Sequence, residues 1–587
     1  MGSFKWLWGY LKKFKLKLFI GYSLVSIFSV LTLINPYISG KIVDNIIQTK
    51  NISLLPGYLV LMGSVVIAIS LIQYLLRYIF EVVSQGIVIK VRDDIYKKLQ
   101  SLDFSFFDRT KAGDNLARLT GDTESIRHFI AYVMWTIYQF FIIFVTVLII
   151  FFSMNVIFTV SLLVVTPFVA IVARKLSKSV KPAFAAIREQ FSRLNSVAQE
   201  NISGNRVVKA FAREDYEIVK FEYENDAYME KNLVAASIWQ KYLPLLDGLA
   251  NTLNALIIII GGFLVIKDVI TLGQMVTFNG LVWALNNPMR MSGWLINDTQ
   301  RFVTSADKVM YLLDTDISIL NNEFPVVKKD LQSNIKFNNV SFKHGHTMIL
   351  KNISFEAKKG ETIGIVGPTG SGKSSIVNLI ARYYDCFEGE ILYDDVNVKD
   401  LDLHMLRKNV SMTMQDVFLF SDSVQANISY GNPDATFESV EAAAKIACAH
   451  DFITKMSEGY DTIIGEYGVG LSGGQKQRIS LARAILKDPS VLIFDDTTSA
   501  VDMETEHEIQ LGLKSISSEK TTFIIAHRIS SVRNANLILV VENGEITERG
   551  THDELMKSKG YYYHTYMNQY GDFENTGNSA KGGSFIG

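Results

Sequence analysis

The residues with the most definite chemistry are Gly367, Pro368, Thr369, Gly370, Ser371, Gly372, Lys373 and Ser374, followed by Ser375. Glycines at this spacing let consecutive backbone N–H groups close around phosphate oxygens, and Lys373 adds a point charge for the outer phosphates. Ser374 offers a hydroxyl to Mg²⁺, and a helix opening at Ser375 would aim its positive end at the same anion. A purely structural glycine turn would not require a strand ending at Val366 immediately before it and a helix immediately after. Further along, the apolar run Val491–Phe494 ends in Asp495 and Asp496. A carboxylate at the end of a buried strand beside a phosphate loop can hold Mg²⁺, normally through its water shell. The pattern predicts a site for a nucleoside triphosphate with Mg²⁺.

Such a loop needs a sheet to carry it. From about residue 330, short β-branched runs (Ile335–Phe342, Glu361–Val366, Val491–Phe494, Thr522–Ile525, Leu537–Val541) alternate with helical patterns. That predicts an α/β domain with a largely parallel sheet over 330–568. The Gly-, Ser- and Asn-rich stretch 571–587 is expected to be a disordered tail.

The first 320 residues have another character. Of the 587 residues 48% are hydrophobic and 20% charged, and the apolar excess gathers here. Six runs, near 18–40, 57–80, 129–153, 156–174, 244–266 and 273–297, are long enough to cross a hydrocarbon core of ~30 Å. Short connections at 41–56, 153–155 and 267–272 hold few Lys or Arg. The long stretches 81–128 and 175–243 hold many, which places them, both termini and the α/β domain in the cytoplasm. These two stretches also show helical spacing, so the spans should continue as long helices. The basic N-terminus (Lys5, Lys12, Lys13, Lys15, Lys17) leads into an apolar run without a small-residue cleavage site, and reads as a first membrane anchor. A net charge of -1 gives nucleic acid no bulk electrostatic basis for binding. Cys386 and Cys448 both lie in the polar half and imply neither a disulfide framework nor a metal site.

Between the phosphate loop and the Asp-bearing strand stand Leu471, Ser472, Gly473, Gly474 and Gln475. With Gly465–Gly468 before them and Gln477, Arg478 and Ile479 after, they resemble the signature of ATP-binding cassette (ABC) transporters. Gln415 then resembles that family's Q-loop, Ser499, Ala500, Val501 and Asp502 its D-loop, and His527 its switch histidine. Upstream, Phe107 and Asp108, Gly113, Asp114 and Arg118, and the stretch from Glu200 to Phe211 look like the cytoplasmic loops of ABC exporters. The resemblance spans roughly residues 5 to 568. It implies an all-α, six-helix transmembrane domain joined to an α/β ATPase domain, with ATP and Mg²⁺ as cofactors. Ser374, Gln415 and Asp495 would serve the metal; Asp496, His527 and Gln415 would serve catalysis. One set of motifs and six spans imply a dimer, in which Ser472 and Gly474 reach the γ-phosphate bound by a partner chain. The implied setting is a bacterial cytoplasmic membrane. The implied activity is ATP-driven export of a small amphipathic or hydrophobic compound such as a drug, lipid or peptide.

Two positions depart from the family pattern. Where the general base is usually Glu, this chain has Asp496, one methylene shorter; a misplacement of about 1 Å can cost ~10²-fold in rate. With the signature intact, that combination resembles the degenerate half of a heterodimeric exporter, whose partner supplies the catalytic Glu; the alternatives are a homodimeric exporter with slow hydrolysis and an ATP-dependent membrane sensor of drug or peptide stress. His344 takes the place of the aromatic that stacks on adenine. Asp247, an acid within the fifth apolar run, is a candidate contact for a cationic substrate; at the cytoplasmic end of that span it would simply be hydrated.

Overall fold

A computed structural model describes residues 2–328, 332–465, 468–497, 501–517 and 519–579. The chain divides into two compact units: Met1–Ser101 with Thr110–Thr315, and Leu102–Arg109 with Asp316–Gly587.

The first unit is helical throughout. Among the described residues five continuous helical stretches are long and apolar enough to cross a membrane: Gly2–Ile47, Ile52–Ser101, Ala112–Met154, Val156–Ser203 and Glu214–Ile266. The sixth expected span is also helical, but it is broken at Val282 into Leu272–Leu281 and Trp283–Asp314. Asn286, Asn287, Pro288 and Arg290 dilute its apolar character, so it falls outside that set. The hairpin at residue 155 shows how sequence sets a boundary: Asn155 accepts the N–H of Phe158 at 2.9 Å and starts a new helix. Phe278 then stacks on Phe151 at 4.3 Å and lies 4.4 Å from Phe158, packing the third, fourth and sixth elements together. The long helices Leu55–Ser101, Thr166–Ser203 and Glu214–Leu256 run on without interruption beyond the apolar windows. The short helix Asn205–Ala210 joins the last two.

The second unit is an α/β domain. Strands β1 (Ile335–His344), β2 (Thr347–Ala357), β4 (Glu388–Tyr393) and β5 (Val396–Asn397) form an antiparallel sheet in the order β2-β1-β4-β5. A six-stranded sheet has the order β10-β9-β3-β8-β7-β6, with β3 Thr362–Val366, β6 Val410–Thr413, β7 Val491–Asp495, β8 Thr521–Ile525, β9 Leu537–Glu542 and β10 Glu545–Gly550. All pairs from β9 to β6 are parallel. The strands are buried on both faces and accordingly read as unbroken apolar runs. The last helix, Tyr561–Ser579, is pinned by buried Tyr562 and Tyr566. It continues eight residues past Gly571, where the sequence reading begins a disordered tail; an anchored helix propagates at little cost per added residue. Residues 580–587 lie outside those described.

Candidate nucleotide site and its setting

The parallel strands deliver the expected residues to one edge of the sheet. Read across β3, β8, β7 and β6, their C-terminal ends carry the phosphate loop, His527, Asp495 with Asp496, and Gln415. Open parallel sheets bind ligands at this edge.

β3 ends at Val366 and the chain turns at Gly367 (φ +150°), where an added Cβ would sit 2.1 Å from the Val541 carbonyl oxygen. At Gly372 (φ +102°) it would sit 2.6 Å from Leu350. These glycines are sterically required. The helix Lys373–Ile380 follows. Lys373 is buried, and its ammonium donates to the carbonyls of Gly367 at 2.9 Å and Pro368 at 2.8 Å. Burial pulls its amine below the ordinary lysine range, against the nearby charges of Asp495 and Asp496. Ser371 Oγ is buried without a hydrogen-bond partner among the described residues. An orphan hydroxyl, a folded-back lysine and a glycine cradle fit a phosphate chain.

Asp495 is buried at the end of β7. Burial pushes its carboxyl up, opposed by a hydrogen bond from Ser374 and reinforced by the Asp496 charge. A hydroxyl and a carboxylate already in contact are hard oxygen donors suited to Mg²⁺, which would supply charge neutralisation for the outer phosphates. Asp496 adopts φ +49° and donates its N–H to Ile525 at 3.0 Å. His527 is exposed just beyond β8. Gln569 of the last helix grips its loop, donating to the His527 carbonyl at 2.8 Å and accepting the Ile529 N–H at 3.0 Å. Gln415 is exposed two residues beyond β6.

The signature residues lie at a helix start. Ser472 caps Gly473–Leu486 in a capping box: its hydroxyl accepts the Gln475 N–H at 3.3 Å and its N–H donates to Gln475 Oε1 at 2.9 Å. Ser472 and Gly473 are exposed, leaving the positive helix end open, while Leu471 packs on the helical core. Of the D-loop, Ser499 and Ala500 lie outside the described residues, as do Glu466 and Tyr467. Val501 is buried, and Asp502 accepts the Thr505 N–H at 2.9 Å.

His344, at the end of β1, is exposed, with its ring 6.2 Å from Tyr384 in an edge-on arrangement. Tyr384 also donates to Asp108 at 2.7 Å, and Phe104 stacks on Tyr383 at 4.3 Å. The short helix Phe104–Arg109 is thus held by an aromatic pair following the phosphate-loop helix. Sequence reasoning missed Tyr383, Tyr384 and Gln569. The doubled tyrosine was a visible signal; a lone glutamine was not. In the first unit, Asp247 pairs with Arg290 at 3.0 Å.

Family models for the ABC transporter transmembrane region and for the ABC transporter match residues 18–289 and 350–499. The chain is 40% identical over 544 residues to the ABC transporter ATP-binding protein YknU of Bacillus subtilis, covering 92% of this chain and 93% of that protein. It is 32% identical over 580 residues to the putative multidrug export ATP-binding/permease protein YgaD of Bacillus subtilis, covering 97% and 100%. A bacterial Atm1-family ABC exporter solved with ATP bound superposes with a TM-score of 0.80 at 26% identity, covering 95% of this chain and 98% of that one. The protein belongs to the ABC transporter family, as an exporter half-transporter that couples ATP hydrolysis to transport across a membrane.

Proposed function

We propose that this chain is the degenerate-site half of a heterodimeric exporter, binding MgATP at its own phosphate loop and hydrolysing it slowly. The observation that carries the reading is Asp496. Its backbone is fixed by the hydrogen bond to Ile525, so the chain cannot advance to make up the missing methylene. A carboxylate held back by about 1 Å aligns water poorly. Ser472 and Gly474, open at a helix N-terminus, are then offered to the partner's ATP, where hydrolysis takes place. Gln415, Asp495, His527 and His344 keep the roles of metal contact, switch and adenine platform at this chain's site. The cargo is an amphipathic or hydrophobic compound, in keeping with the multidrug export named for YgaD. Both termini and the ATPase domain face the cytoplasm.

Trapping nucleotide after turnover tests this directly. ATP retained on this chain with ADP on the partner is expected. Asp496→Glu should raise hydrolysis at this site by at least several-fold. Equal ADP on both chains of the native complex, or full activity from a homodimer, would overturn the reading.

A further inference from the structure

A cavity of about 560 Å³ opens between three helices of the membrane unit: Met134–Met154, Thr166–Ser203 and Trp283–Asp314. Its size is that of ligand pockets, which are mostly apolar with a few polar groups that fix orientation. Phe140, Phe141 and Phe144 form one wall, and small side chains on the other two helices make the space. At Gly293 an added Cβ would meet nothing within 4 Å. The polar lining is sparse, and Arg174 is its single charge, with Ser177 one turn further along the same face.

Arg174 makes no ion pair, hydrogen bond or ring contact among the described residues. The neighbouring cation, Arg290, is already neutralised by Asp247 at 3.0 Å. The cavity therefore carries a net positive charge, the opposite of what a cationic cargo needs. Depth along the helix matters too. At 1.5 Å per residue Phe144 lies about 16 Å from the Asn155 turn and Arg174 about 28 Å, close to a full hydrocarbon thickness. By the same rise Phe141 and Phe140 lie about 21 and 22 Å from the turn, so the phenylalanines fall between the midplane and the edge that Arg174 reaches, where Lys175 and Lys178 follow. A ligand seated here has its apolar body within the hydrocarbon and its head at that interface.

We propose that this cavity binds an amphipath with an anionic head, phosphate or carboxylate, held by Arg174, with its apolar body against the phenylalanines. This names the cargo class for the export reading above and rests on that reading only for the step from binding to transport. Arg is suited to such heads because its fork donates two hydrogen bonds to one oxyanion.

The test uses the purified full chain in lipid nanodiscs without ATP, a diazirine-bearing dodecyl phosphate as photoprobe, and mass-spectrometric mapping of the labelled peptides. Labelling is expected on the three helices named. Dodecyl phosphate should compete, dodecyltrimethylammonium should compete at least about 10-fold less well, and millimolar inorganic phosphate should not compete. Arg174→Gln should lower labelling about 10-fold while Arg174→Lys keeps it within about 3-fold. Gly293→Leu, which fills the space, should also lower it. Equal competition by the ammonium, displacement by inorganic phosphate alone, labelling elsewhere, or indifference to both Arg174→Gln and Gly293→Leu would overturn the site. Labelling that behaves as expected, in a chain whose assembled exporter does not move dodecyl phosphate, would uphold the site and overturn only its use in transport.

Discussion

Charged groups in the two halves of this protein are held in opposite ways. In the ATPase domain Lys373 is buried with its ammonium on two backbone carbonyls, beside an orphan Ser371 hydroxyl and a carboxylate raised by burial. In the membrane domain Asp247 and Arg290 satisfy each other, each 44% exposed. In the first arrangement each group keeps capacity to bind an anion or a cation. The second is complete as it stands. A charge whose surroundings are unsatisfied marks a ligand site; a charge neutralised within the fold marks structure. Arg174, exposed and unpaired among the described residues, differs from the Asp247–Arg290 pair although it lies in the same region.

The largest effect that sharpens this contrast is expected at Ser472. Its capping box already satisfies the nearest backbone donors, so what remains open is the helix end itself. Ser472→Arg should lower the ATPase rate of the assembled pair by roughly 10²-fold, the scale of removing a preorganised donor from a charge-developing site. Asp496→Asn should change it by less than about 2-fold. The reverse ranking, measured as steady-state phosphate release, would move the working site to this chain.

Next comes Lys373→Ala. A buried lysine that exchanges carbonyl for phosphate contacts contributes charge-assisted hydrogen bonds, so ATP affinity at this chain should fall about 30-fold. Titration with a fluorescent ATP analogue on the isolated chain reads it. Unchanged affinity would mean that the folded-back ammonium is structural, and the contrast between the two regions would fail.

The sequence exposed most of this because phosphate binding is done by backbone. Gly367, Gly372 and Lys373 must stand at fixed spacing for steric reasons, and fixed spacing is readable. Strands buried on both faces and apolar windows of membrane length are readable too. Whether groups meet across tens or hundreds of residues is not, since it depends on packing. Tyr384 with Asp108 and Asp247 with Arg290 could not be paired from spacing. The sixth apolar run is helical, but its break at Val282 was not foreseen, because no glycine stands there and Pro288 lies six residues further on. The cavity beside Arg174 left no motif at all: it is space left by small side chains on two helices facing the phenylalanines of a third.

Gln569 probes the ATPase side of the contrast more gently. Its amide holds the loop at His527 through one donated and one accepted hydrogen bond. Gln569→Glu keeps the acceptor for Ile529 and loses the donor to His527. At ~1 kcal/mol for one hydrogen bond, nucleotide release from this chain should quicken about 5-fold. Gln569→Ala should do at least as much. Stopped-flow release of a fluorescent ATP analogue separates this from a general loss of stability, which would leave the two variants ranked by melting temperature instead.

The smallest effect is expected at Asp247, and it bears most directly on how the membrane half uses charge. An acid within an apolar span is by default a functional candidate, yet here the carboxylate has a guanidinium 3.0 Å away and presents little net charge to a passing cargo. A half-exposed pair contributes on the order of 0–1 kcal/mol, so Asp247→Asn should lower the melting temperature by a few degrees at most. Most of that loss should come from leaving Arg290 unpaired, as removing one partner costs more than removing both. The double variant Asp247→Asn/Arg290→Gln should therefore recover stability relative to Asp247→Asn alone, and a double-mutant cycle isolates the coupling. Export of the cargo by the assembled pair should change by less than about 2-fold in either variant. If Asp247→Asn abolished export and the double variant failed to restore it, the carboxylate would be a substrate contact. The distinction between satisfied and waiting charges would then break down within the membrane domain itself.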